Sequence, residues 1–499
     1  MSELLLPLLL AVPLAGAVLL LVAPPRRGER LAVPFGLAVT TVTFLVSVWV
    51  TVATPETDVE WVPNLGLRFH LGIDGVSAPL VLLTAFLTVL CMAYLLRVRP
   101  EAGRLRALVG LLLLLEVGML GTFVALDMLL FFVFFEVVLV PMWFVIAQWG
   151  DDSVPGGRRR AANVFILFTL LGSVVMLVGM LLVGTKAGTF DLTVLAERQG
   201  AGLSHTVQVL AFLALGLGFA VKTPMWPLHS WLPDAHTAAP TVGSVLLAGV
   251  LLKMGTYGFI RIAVPVVPDG ARTVAPWLGA LAVAGIVYGA LACLAQRDLK
   301  RLIAFSSVGH MGFVLLGIAT LTPVGLNGAL YANIAHGLIT GLLFFLAGAV
   351  KDRHHTSELD ILGGGLYERM PRLGGLLAFA AVASLGLPGL AGFWGEMLVL
   401  LAAFDPAAGL SRPYFLVLMA VAGVGVVLTT TYFVALVRRV AQGTSFEAWR
   451  DAVLLRDASR HELLVWAPVV ALVVVLGLWP GWLLEASDPV VRTLLGGRS

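Results

Sequence analysis

Seven ionisable side chains stand inside stretches of this 499-residue chain that otherwise suit lipid: Glu116, Glu136, Lys222, Lys253, His310, His336 and Glu396. A bare charge at mid-bilayer costs about 2.5–3.5 kcal/mol even on insertion scales. Such groups therefore face a partner, a cavity or a proton path. Each of the seven falls on a different apolar segment. Carboxylates, amines and imidazoles are the side chains that exchange protons, so the set points to a protein that moves charge through a membrane.

Glu136 lies near the middle of its segment, in Asp-Met-Leu-Leu-Phe-Phe-Val-Phe-Phe-Glu-Val-Val-Leu-Val-Pro-Met (127–142). Lys222 opens Lys-Thr-Pro-Met-Trp-Pro (222–227), where prolines free a helix end and admit water. Each supplies the other's counter-charge, with a strength that depends on separation. An approaching proton would open such a pair, which is the physics of a switch, and the two residues are expected to form it. The alternative for Glu136 is a permanently protonated acid bonded to a neighbouring helix. Lys253 has no acid four residues away on either side, so a salt bridge along its own helix is unavailable. A desolvated amine exchanges protons near neutrality; snorkelling to an interface is the other reading.

His310 and His336 lie in Ser-Ser-Val-Gly-His-Met (306–311) and Asn-Ile-Ala-His-Gly (333–337). Alone, each would be a satisfied hydrogen-bonder; together, between Lys253 and Glu396 in chain order, they suit a relay. No third ligand stands at a metal-like spacing, so no metal site is expected. Glu396, in Gly-Phe-Trp-Gly-Glu (392–396), is the candidate terminal group toward the outside. Glu116 is a candidate second carboxylate near Glu136. His229, in Pro-Leu-His-Ser-Trp-Leu-Pro-Asp-Ala-His (227–236), either admits protons from the cytoplasmic side or, with Asp234 and His236, caps a loop.

The composition explains what must hold these groups. Hydrophobic residues make up 59% of the chain and charged ones 12%, against about 25% charged in a soluble protein. The mean hydropathy is +0.98, so the bilayer has to serve as solvent. The net charge of +3 comes from residues dispersed over short loops, which make no nucleic-acid stripe. Cys91 and Cys293 are the only cysteines, too few for an iron–sulfur cluster or a zinc site. Any redox chemistry linked to this chain must therefore reside elsewhere. Gly216-Leu-Gly218 falls inside an apolar span and is no dinucleotide loop.

A span needs about 20 apolar residues, and fourteen candidates follow: about 4–23, 33–53, 76–97, 107–126, 128–148, 162–184, 207–224, 239–262, 276–295, 301–320, 326–350, 372–402, 413–437 and 463–484. The first has arginines after it rather than before it, the reverse of a cleavable signal. Of the 32 Lys and Arg residues, 22 fall on the loops after spans 1, 3, 5, 9, 11 and 13. The positive-inside rule makes that face cytoplasmic and puts both termini on the outer side. Spans 7 and 12 carry breaks, at 222–227 and at Leu-Gly-Leu-Pro-Gly-Leu-Ala-Gly-Phe (385–393). Proline removes a backbone donor and clashes with the preceding turn. The expected fold is all-α and polytopic. It comprises helices 1–3 (residues 1–106), a first five-helix repeat (107–262), a second, inverted one (276–440), and a last helix with its tail (463–499). Corresponding breaks in inverted repeats mark a transport path; simple packing kinks are the alternative.

The block Lys-Thr-Pro-Met-Trp-Pro-Leu-His-Ser-Trp-Leu-Pro-Asp-Ala-His-Thr-Ala-Ala-Pro-Thr (222–241), continuing to Leu-Leu-Lys-Met-Gly-Thr-Tyr-Gly (251–258), resembles the antiporter-like subunits of respiratory complex I. Subunits of multi-subunit cation/proton antiporters and membrane-bound hydrogenases share that signature. Three features resemble one branch of the family: the segment 72–88, Glu396 where sister branches carry lysine, and a chain ending soon after span 14. The resemblance implies that Glu136 and Lys222 are the pump's ion pair, Lys253 its central carrier and Glu396 its exit-side carrier. It places His310 and His336 on the central hydrophilic axis. It further implies no cofactor in this chain, with FMN, iron–sulfur clusters, NADH and quinone held by partner subunits, and the sister antiporter-like subunits L and N beside it. The rival reading is a secondary Na⁺/H⁺ antiporter or membrane-bound hydrogenase subunit. A non-transporting scaffold, in which the charges only hold helices together, is the third.

Overall fold

The computed structural model describes residues 4–22, 25–100, 102–153, 156–442 and 456–497; Arg450, counted above on the basic face, lies outside them. Among the described residues thirteen helices are long and apolar enough to cross a membrane, and two shorter apolar helices stand where span 12 was expected. We label the elements α1 (Leu5–Val22), α2 (Pro25–Ala53), β1 (Glu56–Val62), β2 (Leu67–Gly72), α3 (Ala78–Leu95), α4 (Leu105–Val124), α5 (Met128–Val137), α6 (Leu139–Trp149) and α7 (Gly157–Ala187). Next come α8 (Leu192–Arg198), α9 (His205–Lys222), α10 (Trp231–Ala238), α11 (Thr241–Val266), α12 (Pro268–Leu294), α13 (Leu299–Ala319) and α14 (Pro323–His354). The remainder are α15 (Pro371–Ser384), α16 (Ala391–Phe404), α17 (Arg412–Leu436), α18 (Arg460–Leu478) and α19 (Gly481–Leu494).

Burial sorts these helices. The most apolar windows of α11, α13 and α14 are 94%, 94% and 100% buried, whereas those of α7, α17 and α18 are a third to two-fifths buried. The first group is therefore the protein's interior and the second faces lipid or other subunits. Lys253, His310 and His336 all ride on the buried group.

Two departures from the sequence reading have local causes. No element was expected between residues 54 and 75, yet β1 and β2 form an antiparallel hairpin there. Its signal is alternation of polar with β-branched or aromatic residues in Glu-Thr-Asp-Val-Glu-Trp-Val, followed by Pro63-Asn-Leu-Gly66, with Gly66 in the left-handed region. Span 5, read as continuous, is irregular at Val138 between α5 and α6. Pro141 has no N–H to give the Val137 carbonyl, so the regular ladder cannot run through this turn. Glu136 thus stands beside a break.

The expected breaks are present as chain interruptions. Between α9 and α10 the chain leaves the helix at Thr223, and the Trp231 indole ties the returning piece to the Val221 carbonyl at 3.0 Å. Gly255 of α11 lets this end approach, because a Cβ there would sit 2.5 Å from the Phe219 carbonyl. Between α15 and α16 the turn contains Gly386, at φ +72°, where a side chain would be strained and would press on the Glu396 carboxylate 3.1 Å away.

Candidate functional site

The second half of the molecule assembles a line of contacts. Lys253 sits between two π-helical turns, 247–251 and 259–263, the kind of widened turn that recurs at functional sites. Its Nζ donates to the Ala248 carbonyl inside the first of them and to His336 Nδ1 at 2.6 Å. The His336 and His310 rings lie 5.6 Å apart, edge to face. His310 Nδ1 then lies 3.0 Å from Glu396 Oε1. Lys253 is fully buried, and His336 and Glu396 are nearly so.

With Glu396 as the carboxylate and Lys253 as the ammonium, these contacts set the tautomers. A carboxylate only accepts, so His310 donates from Nδ1 and its Nε2 is free to accept. The Lys253 ammonium only donates, so His336 accepts at Nδ1 and carries its proton on Nε2. Neither Nε2 has a hydrogen-bond partner within the protein. Both histidines and Glu396 line a small cavity, together with Thr340 and Ser384, with room for about one water. The two Nε2 atoms and the Glu396 carboxylate give a water there polar partners in a lining that is otherwise largely apolar.

The first half is arranged differently. Lys222 and Glu136 do not make the expected ion pair: Lys222 Nζ and Glu136 Oε1 have no hydrogen-bond partner. Each is nevertheless the charge that acts on the other. Lys222 Nζ rests instead over the Phe135 ring, 4.7 Å from its centroid. Phe135 in turn packs on Phe131 and Phe219. An aromatic face attracts a cation without neutralising it, so the lysine is held beside its acid and apart from it. Glu116, on α4, is fully buried with both carboxylate oxygens unpartnered. α4 and α5 meet at Gly118 and Gly121, against Val138 and Phe134.

The segment between α9 and α10 separates the residues grouped together from sequence. His229 is buried against Tyr288 and Phe305, at 4.9 and 6.2 Å between rings. Asp234 pairs with Arg301 at 2.8 Å. His236 caps nothing: its ring stacks on Phe344 at 4.5 Å, and both nitrogens are buried and unpartnered. Its charged neighbours are Lys300 and Lys253, which puts it beside the axis. Sequence reasoning read His236 only as a possible loop cap and gave Lys300 no role, although both are buried. The signal available for His236 was its spacing of seven from His229, two helical turns that put both on one face had the helix been continuous; it starts only at Trp231. Among the described residues no group of three His, Cys, Asp or Glu side chains could hold a metal ion.

A polytopic bundle with interrupted helices and a buried line of proton-exchanging groups defines a membrane subunit of the ion-translocating class. Residues 125–429 match the family described as NADH:quinone oxidoreductase/Mrp antiporter, TM. NADH-quinone oxidoreductase subunit M of Rhodobacter capsulatus is 40% identical over 98% of this chain and 96% of its own. The subunit M of Rickettsia prowazekii is 34% identical over 96% and 95%. Among solved structures, a chain of respiratory complex I from Thermus thermophilus with bound NADH superposes with a TM-score of 0.86 at 30% identity, covering 99% of both chains. A chain of the Mrp complex from Dietzia sp. superposes at 0.84 with 25% identity, over 98% of this chain and 51% of that one. The chain belongs to this NADH:quinone oxidoreductase/Mrp antiporter family, and within it to the M-type antiporter-like subunits.

Proposed function

We propose that the chain is the proton-translocating membrane subunit of an NADH:quinone oxidoreductase, working beside other membrane subunits that include the sisters L and N. Flavin (FMN), iron–sulfur clusters, NADH and quinone belong to partner chains, and this chain carries the protons. The observation that carries the reading is the shared sense of its hydrogen bonds. Lys253 donates to His336, His336 presents Nε2–H, His310 presents an accepting Nε2, and His310 donates to Glu396. A proton leaving Lys253 therefore shifts each bond one step toward Glu396, with the gap between the two Nε2 atoms as the point of control. Glu136 and Lys222 act as the switch that meets the disturbance arriving from neighbouring subunits.

Residues 107–262 and 276–440 act as the two inverted repeats, each with its own break. Both termini lie on the outer side, and the arginine-rich loops face the cytoplasm of a bacterial cell. Lys253→Met in the assembled complex, reconstituted in vesicles, is expected to lower proton pumping by about tenfold or more, the scale of a lost acid–base step. Full pumping by that variant in a complete complex would exclude the reading. The Mrp likeness supports a second reading, cation/proton exchange, which sodium-dependent pumping by the purified complex would favour.

A further inference from the structure

Three loops of the arginine-rich face converge behind α10. Asp151, just past α6, donates its backbone N–H to the Ala238 carbonyl at 2.7 Å, and its carboxylate pairs with Lys351 at the end of α14. Lys300, at the start of α13, donates Nζ to the next carbonyl, Ala239, at 2.7 Å. The Lys351 and Asp151 side chains are 24% and 23% exposed, whereas Lys300 is 2% exposed. The charges acting on Lys300 are Lys351, Asp298, Asp151 and Asp352; Asp352 accepts from Tyr94 at 3.3 Å and Asp298 caps α13 through the Arg301 N–H. A buried amine thus stands one step inside an ion pair that reaches water.

Three residues before Ala239, in α10, stands His236, with no exposed surface and no partner for either ring nitrogen. A buried imidazole left without hydrogen bonds calls for an explanation. Lys300 and Lys253 both act on it, and it acts on His336 in turn. The ring lies flat on Phe344, at an interplanar angle of 8°, so its two nitrogens point along the plane rather than into the neighbouring helix.

We propose that Lys300 and His236 form the proton intake of this axis, loading from water at the Asp151–Lys351 pair and delivering to Lys253. The inference rests on the proton-translocating reading above. In the transfer the Lys300 ammonium gives a proton to one nitrogen of His236, directly or through one water, leaving a neutral amine and an imidazolium. The imidazolium releases the proton from its other nitrogen to a neutral Lys253, and turning of the ring restores the starting tautomer. Lys300 then takes a new proton from the water-exposed side. No charge is created or lost over the cycle.

A purely structural role is separable, because Lys300 also supports the C-terminal end of α10, where any cation is favourable. Arginine keeps that support and the charge but does not release protons. Histidine supports the end poorly and does release them. In the assembled, reconstituted complex, pumping is expected to fall about tenfold or more in Lys300→Arg and His236→Phe, and Lys300→His is expected to retain more than Lys300→Arg. A structural role gives the opposite order, with Lys300→Arg near wild type, and that result would overturn the proposal. If Lys300 variants fail to assemble, His236→Phe decides alone, since phenylalanine preserves the stack on Phe344; normal pumping there also overturns it. Lys253→Met in the same preparation separates the two levels. Loss of pumping with Lys253→Met but not with Lys300→Arg or His236→Phe rejects the intake alone, whereas normal pumping with Lys253→Met rejects the translocation reading itself.

Discussion

The two broken regions of this chain hold their charges in opposite ways. Around α5 and α9, Lys222 lies on the Phe135 ring and Glu136 remains apart from it. Around α13 and α16, His310 and Glu396 are joined at 3.0 Å, and Lys253 is joined to His336. An open acid–base pair responds to a distant charge because little must be broken to rearrange it. A closed hydrogen-bonded line passes a proton but resists rearrangement. The first region is therefore built to sense and the second to conduct.

The largest test of this contrast removes a charge from the open pair. Glu136→Gln or Lys222→Ala should reduce pumping by about tenfold or more in a fully assembled complex, measured as proton uptake by vesicles per NADH oxidised; unchanged pumping would break the assignment. A second test measures coupling directly. Double-mutant cycles on the stability of the complex should give roughly 1–3 kcal/mol for His310 with Glu396 and under about 1 kcal/mol for Glu136 with Lys222. Equal couplings would erase the distinction. Within the closed line, Glu396→Gln should impair transport, and Glu396→Lys should keep part of it because lysine still carries a proton. If the Glu396→Gln variant pumps normally, Glu396 is not the terminal carrier.

Phe135→Leu is expected to act more gently. It removes a contact worth about 0.5–2 kcal/mol, so pumping should shift several-fold with the charges intact, and the effect should vanish in a Lys222→Ala background. Persistence there would mean that the ring matters only for packing.

The smallest expected effect lies at the β-hairpin, and it touches only the first region. His70 places Nδ1 2.8 Å from Asp191 and Nε2 2.7 Å from Glu56. Two carboxylates can only accept, so the ring is an imidazolium. Burial alone would lower its pKa, but the bonds to Asp191 and Glu56 outweigh that and raise it. Burial likewise works against the Asp191 carboxylate, and His70 with Thr193 and Val194 holds it below its usual range. Asp191 bridges Asp127, which caps α5, the helix of Glu136. The His70 contribution is present in full below about pH 6.5 and is lost as pH rises through its raised value. The Asp191 contribution is present above about pH 3.9 and is lost as pH falls through its lowered value. Hydrogen-exchange protection of residues 68–72 and 190–194 should therefore be steady between those limits and fall as pH rises past the upper one. His70→Gln should remove the dependence, and protection that rises with pH would contradict it.

Much of this was legible in one dimension. Apolar runs and arginine-rich loops marked the spans, because the cost of a charge in lipid is local and each segment meets it alone. Pro224, Pro227 and Gly386 marked the interruptions, since each restricts its own backbone. The hairpin carried a strand signal that its setting between long spans obscured. The open state of Glu136 and Lys222 was not legible, because two residues of opposite charge suggest a pair whatever aromatic ring stands between their helices. Lys300 read as one more basic loop residue, although the fold buries it.

The sequence by itself determined that this chain crosses a membrane many times, where its helices break, and which few side chains could carry protons. Only the tertiary structure decided which of them meet. Lys253 and His336 are 83 residues apart and His310 and Glu396 are 86 apart, separations over which no periodicity fixes a distance. Helix packing sets those distances to within an ångström, and hydrogen bonding depends on distances of that size.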